Sequence, residues 1–441
     1  MSEKAGTWKE RWLKSLRVYR DPRILAITFL GFSSGVPLLL TGGILQAWMT
    51  EEKVDLTSIG FFSLVGIPYT LKFLWSPLID NLRLPLLTNW FGRRRSWLLF
   101  LQGLLILAVL ALAFSNPSEN LRYVAVAAVV VAFVSASYDI IVDAFRIELC
   151  DEDNMAAGAA TYVYGYRIAM WLTGFSSLMI AYYLGWLVSY LVMASFILVG
   201  TVTVLLTREP VPAETEAKIA RAAEQGSYLD WLQHSVVDPF VDFLSRKGWL
   251  AVLLFIVLYK FGDSLAGSIT TAFYLQTGFN TKEIAEIAKV LGTIATFGGL
   301  FIGGWMMAAT TLYRALWISG IFQMVSNLMF AALAIVGADL RFLALTIGIE
   351  NLASGMGTAV FVAYMSSLCN ISYTATQYAL LSSLMAVART TLVSPAGWMA
   401  QQMGWMEFFI LTTVAALPGL MLLWWLSRTQ PVEPRSTHKP A

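Results

Sequence analysis

Stretches of about twenty largely apolar residues, the length one membrane crossing needs, recur along the chain between short polar breaks. There are twelve, at roughly 24–49, 57–79, 96–115, 121–149, 155–183, 185–207, 249–276, 283–308, 312–336, 341–368, 374–401 and 404–427. The pattern predicts an all-α membrane protein of twelve spans. The longest polar interval, 208–248, divides it into two groups of six. That interval opens Glu209-Pro210-Val211-Pro212 and a charged run, the composition of a solvated linker. Its second part, Tyr228 to Lys247, mixes apolar and polar residues. It predicts an amphipathic helix in the membrane interface, broken at Pro239, or one that simply packs on the bundle. The expected organisation is a tail over 1–23, six helices over 24–207, the linker, six helices over 249–427, and a tail over 428–441.

The halves echo each other. Gly31 leads to Ser33-Ser34-Gly35 and Leu45-Gln46; Gly262 leads to Asp263-Ser264 and Leu275-Gln276. The fifth span carries Arg167 and the eleventh Arg389, each followed by a Gly and, near the far end, a Trp (Trp186 and Trp405). Two six-span halves related by a weak repeat are the layout of the major facilitator superfamily, with the substrate site between them near the midplane.

Composition sharpens this. Of 441 residues, 57% are hydrophobic and 13% charged, about half the charge of a water-soluble domain, and mean hydropathy is +0.66. The net charge of +2 gives no reason to expect nucleic acid as a partner; the lipid bilayer is the expected one. Residues 1–23 are polar and basic, with no apolar core or cleavage site of a secretory signal, so the first span is expected to be retained. On the side of the termini fall twenty Lys and Arg, among them Arg23, Arg83, Arg93, Arg94, Arg95, Arg208, Lys247 and Arg314. The other side holds Lys53, Arg122, Lys282 and Arg341, so both termini are expected in the cytoplasm. Cys150 and Cys369 fall at span ends on that side, where no disulfide is expected.

Charges inside spans are costly and mark candidate sites. At 1.5 Å per residue, Arg167, Lys260, Asp263 and Arg389 lie about 15–22 Å from the terminal side, with Asp139 at similar depth. Asp139 and Asp143, at i and i+4, stack on one face of the fourth span and could take up and release protons. They could equally just pair, Asp143 with Arg146 or Lys72. Arg167 and Arg389 suit carboxylates of substrate or protein; Lys260 and Asp263 could neutralise each other. Glu350 sits higher in its span, while Glu148 and Lys289 fall near helix ends. His234 and His438 lie in the loop and tail, leaving no histidine for a metal or proton relay in the membrane. No phosphate loop and no nucleophile–base pair is present, so neither ATP, a cofactor, a metal nor an enzyme is expected. After the second span, Asp80 and Phe91-Gly92-Arg93-Arg94-Arg95 resemble the charge latch between spans two and three of major facilitators. A plain topology signal would look much the same.

The residues also resemble a particular family. The strings are Gly31-Phe-Ser-Ser-Gly-Val-Pro-Leu, Leu45-Gln-Ala-Trp-Met-Thr, Ile59-Gly-Phe-Phe-Ser-Leu-Val-Gly, Lys72-Phe-Leu-Trp-Ser-Pro-Leu-Ile-Asp80 and Phe91-Gly-Arg-Arg-Arg-Ser-Trp97. Further on come Ser135-Ala-Ser-Tyr-Asp-Ile-Ile-Val-Asp-Ala144, Gly165-Tyr-Arg167, Tyr259-Lys-Phe-Gly-Asp263 and the run through Arg389 to Gly397-Trp398. They are similar to the AmpG-type muropeptide permeases of Gram-negative inner membranes. The resemblance implies proton-driven import of anhydromuropeptides from periplasm to cytoplasm by a monomer. Gln46, Trp48 and Tyr166 would then hold sugar groups, and Arg167, Lys260 or Arg389 the peptide carboxylates, beside Asp263. Asp139 and Asp143 would couple protons, and Lys72, Asp80, Arg93, Arg94 and Arg95 would gate. The chain departs from the family at Tyr138, where Gln is usual. The alternative is a carrier of another anionic solute such as acetyl-coenzyme A, or a drug/proton antiporter.

Overall fold

The computed structural model describes residues 21–54, 56–151, 154–209, 237–279, 281–370, 373–387, 389, 392–393 and 395–429. The basic residues up to Arg20, linker residues 210–236, both histidines and the tail beyond 429 lie outside them.

The described helices form twelve consecutive passes, named here α1 (Pro22–Glu51), α2 (56–81), α3 (Arg93–Ala113), α4 (Leu121–Leu149), α5 (Met155–Leu184), α6 (Trp186–Leu206), α7 (Trp249–Thr277), α8 (281–309), α9 (Leu312–Val336), α10 (Leu340–Ser367), α11 (374–403) and α12 (Trp405–Thr429). Nine contain a helix long and apolar enough to cross a membrane. The others are α5, with its small and polar residues, and α2 and α11, which are interrupted. Pro22 and Thr429 lie on one side, the terminal face, where Arg23 of α1 meets Asp151 after α4 at 2.8 Å.

Side chains of lipid-facing helices gain little by leaving the bilayer, so helices associate by close packing of small residues. In the first half α1 crosses α5 so tightly that a Cβ on Gly165 would lie 1.8 Å from the Thr28 carbonyl oxygen. In the second half the comparable crossing is α8 on α10, where a Cβ on Gly299 would lie 2.1 Å from the Leu352 oxygen.

On the face opposite the termini the halves repeat in detail. Gly185 and Gly404 adopt nearly identical conformations (φ 85°, ψ 164° and φ 86°, ψ 165°), left-handed φ values that glycine takes without strain. Each turns the chain into a tryptophan. Trp186 Nε1 donates to Glu51 Oε2 at 2.9 Å, and Trp405 Nε1 to Gln276 Oε1 at 3.0 Å. Trp186 and Tyr190 pack on Trp48, while Trp405 and Phe409 pack on Phe273.

Toward the terminal face the halves interlock. Ala375 and Ala379 of α11 enter the core of the first half, while Ile147, Ala159, Ala160 and Val163 of α4 and α5 enter that of the second. The described part of the expected amphipathic segment is a short helix, Asp238–Leu244. Pro239 sits in its first turn, where no amide is needed, and the residues up to 236 that the expected break would separate from it lie outside the described residues. Phe243 is buried in the second half's core, so this helix packs on the bundle.

Candidate functional site: two charged clusters and a cavity

Two interior cations, Lys72 and Lys260, stand at helix breaks, where the backbone leaves regular geometry and a long side chain can be aimed inward. Lys72 lies in the 3₁₀ turn Lys72–Leu74 that splits α2. Lys260 precedes the restart of α7 at Phe261, and Arg389 lies between the α11 helices Thr374–Val387 and Ala396–Met403. Discontinuous helices of this kind build binding sites in membrane carriers.

The first cluster is sealed. Asp143 sits between Lys72 Nζ (3.6 Å) and Arg146 Nη2 (3.4 Å), both carboxylate and cations nearly inaccessible. Asp139, one turn away on α4, accepts a hydrogen bond from Ser34 Oγ on α1, which lies 3.3 Å from the Tyr162 hydroxyl of α5. The i, i+4 stacking therefore holds, but the carboxylates differ: one is neutralised twice, the other is bonded by a neutral hydroxyl. Lys72, expected at a gate, belongs here, because its break in α2 directs it at Asp143.

The second cluster opens on a cavity of about 540 Å³ between the halves, lined by Arg167 of α5, Lys260 and Asp263 of α7, Glu350 of α10 and Arg389 of α11. Lys260 Nζ donates to Thr358 Oγ1 at 2.8 Å and lies 3.7 Å from Asp263 Oδ2. Arg167 and Arg389 are exposed to the cavity. Tyr166 stands between the clusters, within electrostatic range of Asp139 on one side and of Arg167 and Arg389 on the other. Glu350, not among the expected site residues, is brought in by the depth of α10.

Two sugar-binding candidates lie elsewhere. Trp48 is buried, its ring stacked on Trp186 at 5.7 Å, so it offers no open face to a sugar. Half-buried Gln46 does not line the cavity. The repeat explains Trp48, which belongs to the aromatic packing at the face opposite the termini.

Toward the terminal face a network of ion pairs links the halves. Arg94, fully buried, binds Asp80 Oδ1 at 2.7 Å and Glu148 Oε1 at 2.5 Å, and Arg93 donates to the Asp80 carbonyl. The other Asp80 oxygen accepts from the Thr376 amide (3.1 Å) and hydroxyl (3.2 Å), in the first turn of α11. An acceptor there satisfies an otherwise orphaned amide and complements the helix dipole. Asp80 thus ties the halves together. Arg95 takes no part: its guanidinium binds the Val204 and Leu205 carbonyls at the end of α6, because α3 turns that face toward its own half. Sequence reasoning foresaw Arg146 as a partner of Asp143 but left three further contacts unforeseen. Arg146 donates to Ser366 Oγ at 2.9 Å and lies over the rings of Tyr162 and Tyr378. Tyr164 donates to the Phe297 carbonyl. Glu209 accepts from the amides of Arg94 and Arg95 (2.8 and 3.1 Å), capping α3. Arg146 and Glu148 were legible as charges at a span end; that Arg146 reaches Ser366 in the other half, and Glu148 reaches Arg94 in its own, was not.

Twelve passes, a mid-depth charged cavity between two halves and an ion-pair network linking them toward one face define a solute carrier. Comparison with known proteins agrees. The Major Facilitator Superfamily model matches residues 24–391. The anhydromuropeptide permease of Escherichia coli K12 is 43% identical over 410 residues, 92% of this chain and 80% of that protein. A putative AmpG transporter of Rickettsia felis is 35% identical over 93% of this chain and 98% of its own length. Among solved structures, the E. coli fucose:proton symporter aligns with a TM-score of 0.67 at 14% identity, covering 91% of this chain and 98% of that one. The human organic anion transporter MFSD10 aligns at 0.62 and 17%, covering 95% and 100%; at such identities the likeness is one of fold. The chain belongs to the Major Facilitator Superfamily and, within it, to the AmpG-type permeases. It is a membrane transporter and not an enzyme.

Proposed function

We propose that this chain is a proton-driven importer of anhydromuropeptides, carrying them from periplasm to cytoplasm across the inner membrane, with both termini cytoplasmic and the monomer as working unit. The two six-helix bundles, 24–207 and 249–427, rock about the cavity, and 208–248 joins them. The observation that carries this reading is the cavity itself. Three cations, Arg167, Lys260 and Arg389, come from both halves to one space near mid-depth, in a chain with 43% identity to a protein named for that cargo. Fixed guanidinium groups suit carboxylates, which they bind with two parallel hydrogen bonds. Tyr166 adjoins Arg167 in the chain but, like Gln46 and Trp48, does not line the cavity.

Asp139 is the proton carrier in this reading. Protonating Asp143 would strand Lys72 and Arg146 without their counter-ion, whereas protonating Asp139 breaks no ion pair. Asp80, Arg93 and Arg94 form the latch on the cytoplasmic side, and opening there requires Asp80 to release Thr376.

The test is uptake of labelled anhydromuropeptide by right-side-out membrane vesicles, with and without an imposed inward proton gradient. Accumulation that follows the gradient is expected. Absence of uptake would sink the cargo assignment, and uptake indifferent to the gradient would remove the proton.

A further inference from the structure

The cavity holds more acid at one end than its own amine neutralises. Lys260 divides its ammonium between Thr358 and a long contact to Asp263. Asp263 Oδ2 also accepts weak bonds from Gln323 Nε2 (3.4 Å) and Ser354 Oγ (3.5 Å), while its other oxygen, Oδ1, is buried with no hydrogen-bond partner. A buried carboxylate oxygen left bare is costly unless something fills it. Glu350, from α10, lines the same cavity, and the charges acting on it are those of Asp263 and Lys260. Two carboxylates therefore lie within electrostatic range of one ammonium, that of Lys260. Arg167 and Arg389 gather with Tyr166, and Lys260 lies within range of both groups. The cavity is thus bipolar, with a guanidinium pole and a carboxylate pole.

We propose that Asp263 and Glu350 form a subsite for an ammonium group of the cargo, while Arg167 and Arg389 take its carboxylates. The proposal rests on the muropeptide reading and narrows it: the preferred cargo is a peptide conjugate with a free amine and more carboxylates than amines. Charge requires the excess, since three cations and two carboxylates leave the cavity one positive charge to match. Chemistry requires the amine, because an ammonium brings three donors to oxygens that have too few. A purely anionic cargo would set its charge against Asp263 and Glu350, and a neutral one would leave their charge unanswered.

The experiment uses the full chain in lipid nanodiscs and two ligands: an anhydromuropeptide whose peptide contains lysine, and the same molecule with the lysine amine acetylated. Acetylation is expected to weaken binding to the wild type about tenfold or more, the worth of one charge-assisted hydrogen bond. In Glu350→Gln the two ligands should bind alike, and measurable binding of either reports that the variant is folded; Asp263→Asn provides the same test independently. Equal binding of both ligands to the wild type overturns the proposal. So does a Glu350→Gln protein that keeps the discrimination and changes only the pH dependence of uptake, since Glu350 would then hold a proton. If neither ligand binds the wild type at any concentration tried, it is the muropeptide reading that falls.

Discussion

The two halves carry similar charges and use them differently. In the first, Lys72, Asp143 and Arg146 are locked together, and Asp139 accepts from Ser34, which lies beside Tyr162. In the second, Lys260, Asp263, Glu350 and Arg389 stand around open space, joined there by Arg167 from the first. Charges closed against each other hold an arrangement until a proton or a movement disturbs them. Charges facing a cavity with incomplete partners are available to a ligand. One fold duplicated in a single chain thus holds its charges in two ways, and the difference is whether the ionised groups close on one another or face open space.

The contrast can be broken most decisively at Asp139. Asp139→Asn should reduce gradient-driven uptake to background while immunoblots show normal amounts in the membrane; normal uptake would move coupling out of the sealed cluster. Next in size is the latch. Arg94→Ala leaves Asp80 and Glu148 buried without their cation and should lower stability by about 3–5 kcal/mol, read as a drop in thermal unfolding temperature in detergent. A change near zero would mean the network is looser than its distances imply. Arg167→Ala, on the open side, should leave that temperature almost unmoved but weaken binding of ligands with free peptide carboxylates about ten- to a hundredfold. An equal loss for the bare disaccharide would detach Arg167 from the peptide. Smallest and most symmetric are Trp186→Phe and Trp405→Phe, each removing one hydrogen bond at matching positions. Each should cost about 1 kcal/mol in denaturant unfolding, and clearly unequal losses would show that the repeated geometry is not repeated energetics.

Much of the fold was readable because hydrocarbon imposes a length and a polarity on every crossing. The expected boundaries of α4 and α9, 121–149 and 312–336, coincide with the observed helices. The site was half legible. Depth alone singled out Asp139, Asp143, Arg167, Lys260, Asp263 and Arg389, since a charge at mid-membrane has few harmless explanations. Depth did not separate Lys72 from the gate or bring in Glu350. It also gave no warning that Trp48 would be closed off by Trp186, 138 positions later in the chain. The paired tryptophans were read from the repeat, but their role was not, because it gains meaning only when Glu51 and Gln276 come to meet them.

By itself, then, the order of residues determined that this chain crosses a membrane twelve times, in two related halves, with ionised groups carried to mid-depth. Hydropathy and helical rise are local, and a local reading suffices for them. Which charges are neutralised at home and which are left facing a shared space was decided by tertiary structure alone. Asp80 reaching Thr376 and Arg146 reaching Ser366 join residues 296 and 220 positions apart, and no periodicity within one helix encodes which face of another it will meet.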